Sequence, residues 1–158
     1  MQKITPFLTF VDQAEEAMNF YSSVFPNSKV GEVSRYGEGA PFPPGTVMSA
    51  NLEIEGQELI FLNGGEHFQF SEGISLFVRC EDQEEIDRLW NQLSADGGEP
   101  GRCGWLKDKF GVSWQIIPPV LGEMLGDQDP DKAKRVMEAM LQMDKIEIPK
   151  LEEAYAQS

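Results

Sequence analysis

The sequence predicts an α+β protein of two strand–helix–strand–strand–strand (βαβββ) modules followed by a helical tail, and three internal echoes carry that prediction. Asp12-Gln13-Ala14-Glu15-Glu16 returns as Asp82-Gln83-Glu84-Glu85 with one residue deleted. Phe20-Tyr21 returns as Leu89-Trp90, and GQELIFL (56–62) lies over GVSWQII (111–117). A shared order of elements is stronger support for a repeat than any one motif. Each copy alone would leave a sheet face uncovered, so burial argues that the two join in a single domain, 1–158. Module 1 spans about 1–65, module 2 about 73–118 and the tail 119–158.

The elements follow from local pattern. Residues 4–10 alternate as a strand, with Thr5, Phe7 and Thr9 on one face and Ile4, Leu8 and Phe10 on the other. Asp12 fits an N-cap, after which Ala14, Ala17, Met18, Tyr21 and Val24/Phe25 recur at helical spacing, with Glu15 and Glu16 near the positive end of the dipole. Pro26-Asn27 ends the helix. Residues 29–36 read as a strand, and GEGAPFPPG (37–45) as a long loop whose Phe42 suits a flap over a site or an ordinary strand connection. Residues 47–54 and 59–62 form two strands turning at Glu55-Gly56-Gln57.

The pattern restarts with a strand at 74–79, a cap at Asp82 and a helical stripe of Ile86, Leu89, Trp90 and Leu93. Module 2 closes on a hairpin, Trp105-Leu106-Lys107 and 112–117 around Asp108-Lys109-Phe110-Gly111. Alternation there sends Trp114 and Ile116 to a face that wants a helix, and Ser113, Gln115 and Ile117 to the other. A central Gln suits the lining of a cavity. In the tail, Leu121, Met124 and Leu125 suggest a short helix. Asp129-Pro130 is a cap followed by Pro at the first helical position, and Ala133, Val136, Met137, Met140 and Leu141 form a stripe for core or dimer packing. A last helix follows Pro149.

Composition bounds the partners. A 158-residue chain with 41% hydrophobic residues can bury a real core. Its net charge of −14 argues against nucleic acid and anionic membranes, which are bound by clustered Lys and Arg. No apolar run approaches the ~20 residues of a membrane span, and the N-terminus lacks the apolar stretch of a signal peptide, so the expected compartment is the cytoplasm. Cys80 and Cys103 form neither a CxxC pair nor a disulfide framework, and they read as small buried hydrophobes rather than catalytic thiols.

The paired modules, each with an acid-capped helix ending in Phe-Tyr or Leu-Trp, and the closing Asp-x-x-Gly hairpin resemble the vicinal oxygen chelate superfamily of glyoxalases, fosfomycin-resistance proteins and extradiol dioxygenases. More narrowly, ITPFLTF, FYSSVFPNS, RYGEGAP, LNGG, CGWLKDKFGVSWQIIP and KAKRVMEAMLQM are similar to its PhnB-like subgroup, whose domain is often labelled a demethylubiquinone methyltransferase. The resemblance implies a cup-shaped mixed sheet with outer helices and a homodimer. It also implies a divalent metal held by His or Glu on the first strand of each module and by Glu on the last strand. Those positions fall near Thr5, Ser75 and Gln115, whose neutral oxygens cannot compensate a transition-metal charge as imidazole and carboxylate do.

No cofactor is therefore expected, and a divalent metal could enter only through atypical ligands. The expected function is a metal-independent small-molecule site lined by Thr5, Phe7, Ser75, Phe77, Trp105 and Gln115. His67, the only histidine, could act with Glu72 as an acid–base pair, although a solvated loop histidine is the plainer reading. Two alternatives stand beside this: an enzyme with an atypical metal site using Glu72, His67 and a partner subunit, and a structural or regulatory homodimer. The methyltransferase label fits poorly, because neither Asn63-Gly64-Gly65 nor Asp96-Gly97-Gly98 sits in a strand–loop–helix setting.

Overall fold

Strand order repeats between the two halves of the computed structural model, which describes residues 2–157. The first half contains β1 (Phe7–Phe10), α1 (Ala14–Val24), β2 (Ser28–Arg35), β3 (Val47–Ile54) and β4 (Gln57–Asn63). The second contains β5 (Ser75–Arg79), α2 (Gln83–Leu93), β6 (Glu99–Pro100), β7 (Trp105–Lys107) and β8 (Ser113–Ile117). Their sheets run β1-β4-β3-β2 and β5-β8-β7-β6, each with one parallel pair, β1 with β4 and β5 with β8. The chain divides into two compact units, 1–69 and 70–158, with the division inside the stretch between the predicted modules.

In the first unit, α1 buries Ala14, Ala17, Met18, Tyr21 and Val24, the stripe read from the sequence. It packs on the sheet face of Leu8, Phe10, Ala50, Leu52 and Phe61, where Phe10 stacks on Phe61 at 5.5 Å. The β3–β4 hairpin turns on two residues, Glu55 (φ 49°) and Gly56 (φ 81°), a pair of positive φ angles that matches the twist of the flanking strands. Two expectations are corrected here. The strand begins at Phe7, so Ile4 lies outside it and is 85% exposed. Asp12 does not cap α1: Gln13 holds the cap position without a side-chain bond, and the Ala14 N–H instead donates to Asn63 Oδ1 at 2.8 Å. Asn63 pairs with Phe10 at the end of β4, which carries its amide to the helix start. The loop after β2 is secured by Phe42, which stacks on Tyr36 at 4.8 Å, while the Tyr36 hydroxyl donates to the Asn63 carbonyl.

In the second unit the local reading of α2 holds. Asp82 accepts from the Glu85 N–H at 2.9 Å, and Ile86, Leu89, Trp90 and Leu93 are buried. The tail forms α3 (Pro119–Leu125), α4 (Pro130–Leu141) and α5 (Ile148–Ala156). Asp129 caps α4 and Pro130 opens it, as the sequence predicts. The α4 stripe is only partly core: Val136 is fully buried, whereas Met137 and Leu141 are exposed. Met143 and Ile146, beyond the helix, take the interior positions with Ile117, Leu121, Met124 and Leu151. Gln83 ties this segment to α2, donating to the Ile146 carbonyl and accepting from the Ile148 N–H.

Candidate functional site

The closing hairpin is fixed by a buried acid. Asp108, 3% exposed, accepts from the Phe110 and Val112 N–H groups through Oδ1 and from the Trp114 indole through Oδ2, at 2.9–3.0 Å. Gly111 closes the turn at φ 89°, a backbone conformation that glycine adopts without Cβ strain. With Trp114 and Ile116 buried, the strand is held in one register and Gln115 is directed to the opposite face.

Register then assembles the second unit's site. Phe77 pairs with Gln115 across β5–β8, and Gln115 with Trp105 across β7–β8, so the three share one face. Gln115 Nε2 donates to Ser75 Oγ at 2.9 Å. Phe77 and Trp105 are 48% and 38% exposed, so this polar pair is flanked by accessible aromatic surface. In the next row Lys107 pairs with Ser113 and forms an ion pair with Glu72. The hydrogen bond and charge of Lys107 hold the Glu72 carboxyl below its ordinary pKa, and Glu72 raises that of Lys107.

In the first unit the pairing of Phe7 with Ile60 mirrors that of Phe77 with Gln115. Thr5, half-buried just before β1, and Phe7, 54% exposed, are thus the counterparts of Ser75 and Phe77, and Ile60 is the counterpart of Gln115. His67 lies in the exposed stretch after β4. The structure therefore brings Ser75, Phe77, Trp105 and Gln115 together and adds Glu72 through Lys107. Thr5, Phe7 and His67 belong to the other unit.

Cys80 is buried, and burial, reinforced by Glu85, pushes its thiol up to about 12, which leaves essentially no thiolate at neutral pH. Among the described residues, no three His, Cys, Asp or Glu side chains are grouped to hold a metal ion. In the second unit the positions that would bear ligands present Ser75 and Gln115, and in the first Thr5, just before β1, and the aliphatic Ile60. In neither unit does this donor chemistry fit a divalent transition metal.

Two βαβββ units of identical strand order, with helices against their sheets, make this a protein of the vicinal oxygen chelate fold. The sequence profile of the 3-demethylubiquinone-9 3-methyltransferase family matches residues 2–117, and the chain belongs to that family, in its PhnB-like branch. A PhnB protein from Bacillus cereus is 42% identical, with a TM-score of 0.68 over 74% of this chain and 99% of its own. The fold alone is shared with a Pseudomonas aeruginosa protein (22% identical, TM-score 0.62, 75% and 98% covered). It is also shared with the fosfomycin resistance protein FosX from Mesorhizobium loti (15% identical, TM-score 0.55, 80% and 100% covered). No curated protein matches the chain. The family match ends at 117, so the tail, including KAKRVMEAMLQM, lies beyond it. Among the described residues no helix is long and apolar enough to cross a membrane.

Proposed function

We propose that this protein binds a small organic molecule without a metal ion, on the sheet face built by Ser75, Phe77, Trp105 and Gln115. The observation that carries the reading is the Gln115–Ser75 hydrogen bond. At positions where the superfamily resemblance implies metal ligands, two neutral side chains satisfy one another. The second Gln115 N–H, its carbonyl oxygen and the Ser75 hydroxyl proton are left to serve a ligand, so a ligand carbonyl can accept from both side chains. Phe77 and Trp105 supply the apolar flanks, the usual composition of a small-molecule site. Thr5 and Phe7 form the corresponding surface of the first unit.

The family's name describes a methyl transfer, but the chain lacks the phosphate-cradling setting of doubly wound adenosylmethionine enzymes. Gly64 and Gly65 lead from β4 into an irregular stretch, and Asp96-Gly97-Gly98 follow a helix rather than a strand. The proposal extends to a cytoplasmic homodimer. Both cysteines are free, which suits a reducing compartment, and exposed Met137 and Leu141 give α4 apolar surface.

Titrating the labelled protein with planar carbonyl compounds should move the Gln115 side-chain amide and the Trp105 indole resonances together. Gln115→Ala and Phe77→Ala should each weaken binding about tenfold, the order expected for one lost hydrogen bond or one aromatic contact. A stoichiometric transition metal in protein purified without chelator, or unchanged affinity in both variants, would overturn the reading.

A further inference from the structure

The face that carries Gln115 also carries a cation that the proposed binding of a neutral polar group leaves unexplained. Arg79 follows Phe77 by two residues on β5, and its guanidinium carbon stands 5.4 Å from the Phe77 ring centroid. Arg79 is exposed, and among the described residues no carboxylate forms an ion pair with it. The other cation on this face, Lys107, is already matched by Glu72. Arg79 is thus an uncompensated positive charge on a protein of net charge −14, so the local sign opposes the global one.

Register supplies the spacing. Arg79 pairs with Ile117 and Phe77 with Gln115, so the guanidinium row and the amide row are one two-residue step apart, roughly 7 Å along the strand. Ile117 is buried in the tail's apolar cluster, which places that cluster beside the Arg79 row. The Glu72–Lys107 ion pair marks the opposite end, in the row of Ser75 and Ser113.

Resting on the proposed site, we infer that its ligand is an anion: a small molecule with a carboxylate-like group for Arg79 and a neutral carbonyl or hydroxyl for Gln115 and Ser75. A planar apolar body joins the two and lies along Phe77. Guanidinium on an aromatic face is pre-oriented, and its planar fork matches a carboxylate through two parallel hydrogen bonds.

The test uses two isosteric probes, 4-acetylbenzoate and neutral 4-acetylbenzamide, titrated into the full-length labelled protein while the Gln115 and Trp105 signals are followed. The anion should bind about tenfold or more tightly than the amide, with an advantage that shrinks as salt is raised. Arg79→Gln should abolish that advantage, weakening the anion far more than the neutral probe; because Arg79 is exposed, the variant's spectrum away from β5 should superpose on the parent's. Equal affinity for the two probes, both shifting Gln115, would overturn the anion assignment and keep the site. No shift of Gln115 or Trp105 by either probe would overturn both.

Discussion

The two βαβββ units share a strand order but secure their helices and hairpins by different means. In the second unit the fastenings are local: Asp82 caps the helix that begins one residue later, and Asp108 holds the turn in which it stands. In the first unit the helix start is held by Asn63, 49 residues ahead in sequence, and the hairpin turns on Glu55-Gly56 without a buried acid. Strand lengths differ too. The second and third strands of the first unit run eight residues each, whereas β6 and β7 run two and three. β7 offers β8 three residue pairs where β3 offers β4 six, so on that side the hairpin's side chains contribute more to orienting Gln115. The contrast shows that a repeated backbone can conserve topology while its polar fastenings diverge.

The largest expected effect tests the local fastening of the second unit. Asp108→Ala removes one buried carboxylate and leaves three donors without it, two of them backbone N–H groups, at a cost of about 3–5 kcal/mol in urea unfolding. Its consequence should extend to Gln115, whose side-chain resonances should broaden as the register of β8 loosens. A loss below about 1 kcal/mol would show that β7 and β8 hold their register without the acid.

Next comes the pair of helix caps. Asn63 is 1% exposed and its side chain makes two bonds, accepting from Ala14 N–H and donating to the Val47 carbonyl at 2.9 Å. Asn63→Ala leaves both partners inside the protein and should cost about 2–3 kcal/mol. Asp82 is exposed, and water can replace its carboxylate, so Asp82→Ala should cost about 1 kcal/mol. Equal losses in the two variants would remove the distinction between long-range and local capping.

That distinction also explains what the sequence could and could not disclose. The Asp82 cap, the Asp129-Pro130 start of α4 and the apolar stripes of α1 and α2 depend on neighbours within a turn or two, and periodicity displays them. The Asn63 cap depends on β4 pairing with β1, so a local reading assigns the role to Asp12, the nearest suitable side chain. Gln115 was legible because alternation along one strand gives its face, and the same rule places Ser75, Phe77 and Arg79 together. Their joining to Gln115 and Trp105 required the β5–β8 and β7–β8 registers. The grip of Lys107 on Glu72 had no sequence signal, since the two are 35 residues apart and share no motif. β6 has no sequence signal either, because two residues, one of them proline, show no period.

The smallest expected effect lies in that ion pair, and its sign can be stated. Glu72 is held below its ordinary pKa by the hydrogen bond and charge of Lys107, so whatever stability it contributes is present above the unfolded value and is lost as the pH falls through the lower folded one, on the acid limb. Lys107 is held above its ordinary pKa by Glu72, so its contribution is present below the unfolded value and is lost as the pH rises through the higher folded one, on the alkaline limb. Both groups are solvent-exposed, and exposed ion pairs are strongly screened. Glu72→Gln should therefore flatten the acid limb of the melting-temperature profile slightly and leave the neutral plateau almost unmoved, an effect that should fade in high salt. It has a sharper use at the site. Removing the carboxylate releases Lys107 from its hydrogen-bonded partner and leaves only the more weakly acting Glu99, its cross-strand neighbour on β6, so 4-acetylbenzoate should bind somewhat more tightly to Glu72→Gln while 4-acetylbenzamide does not. An unchanged preference would mean that Lys107 lies outside the reach of the ligand and that Arg79 alone supplies the charge.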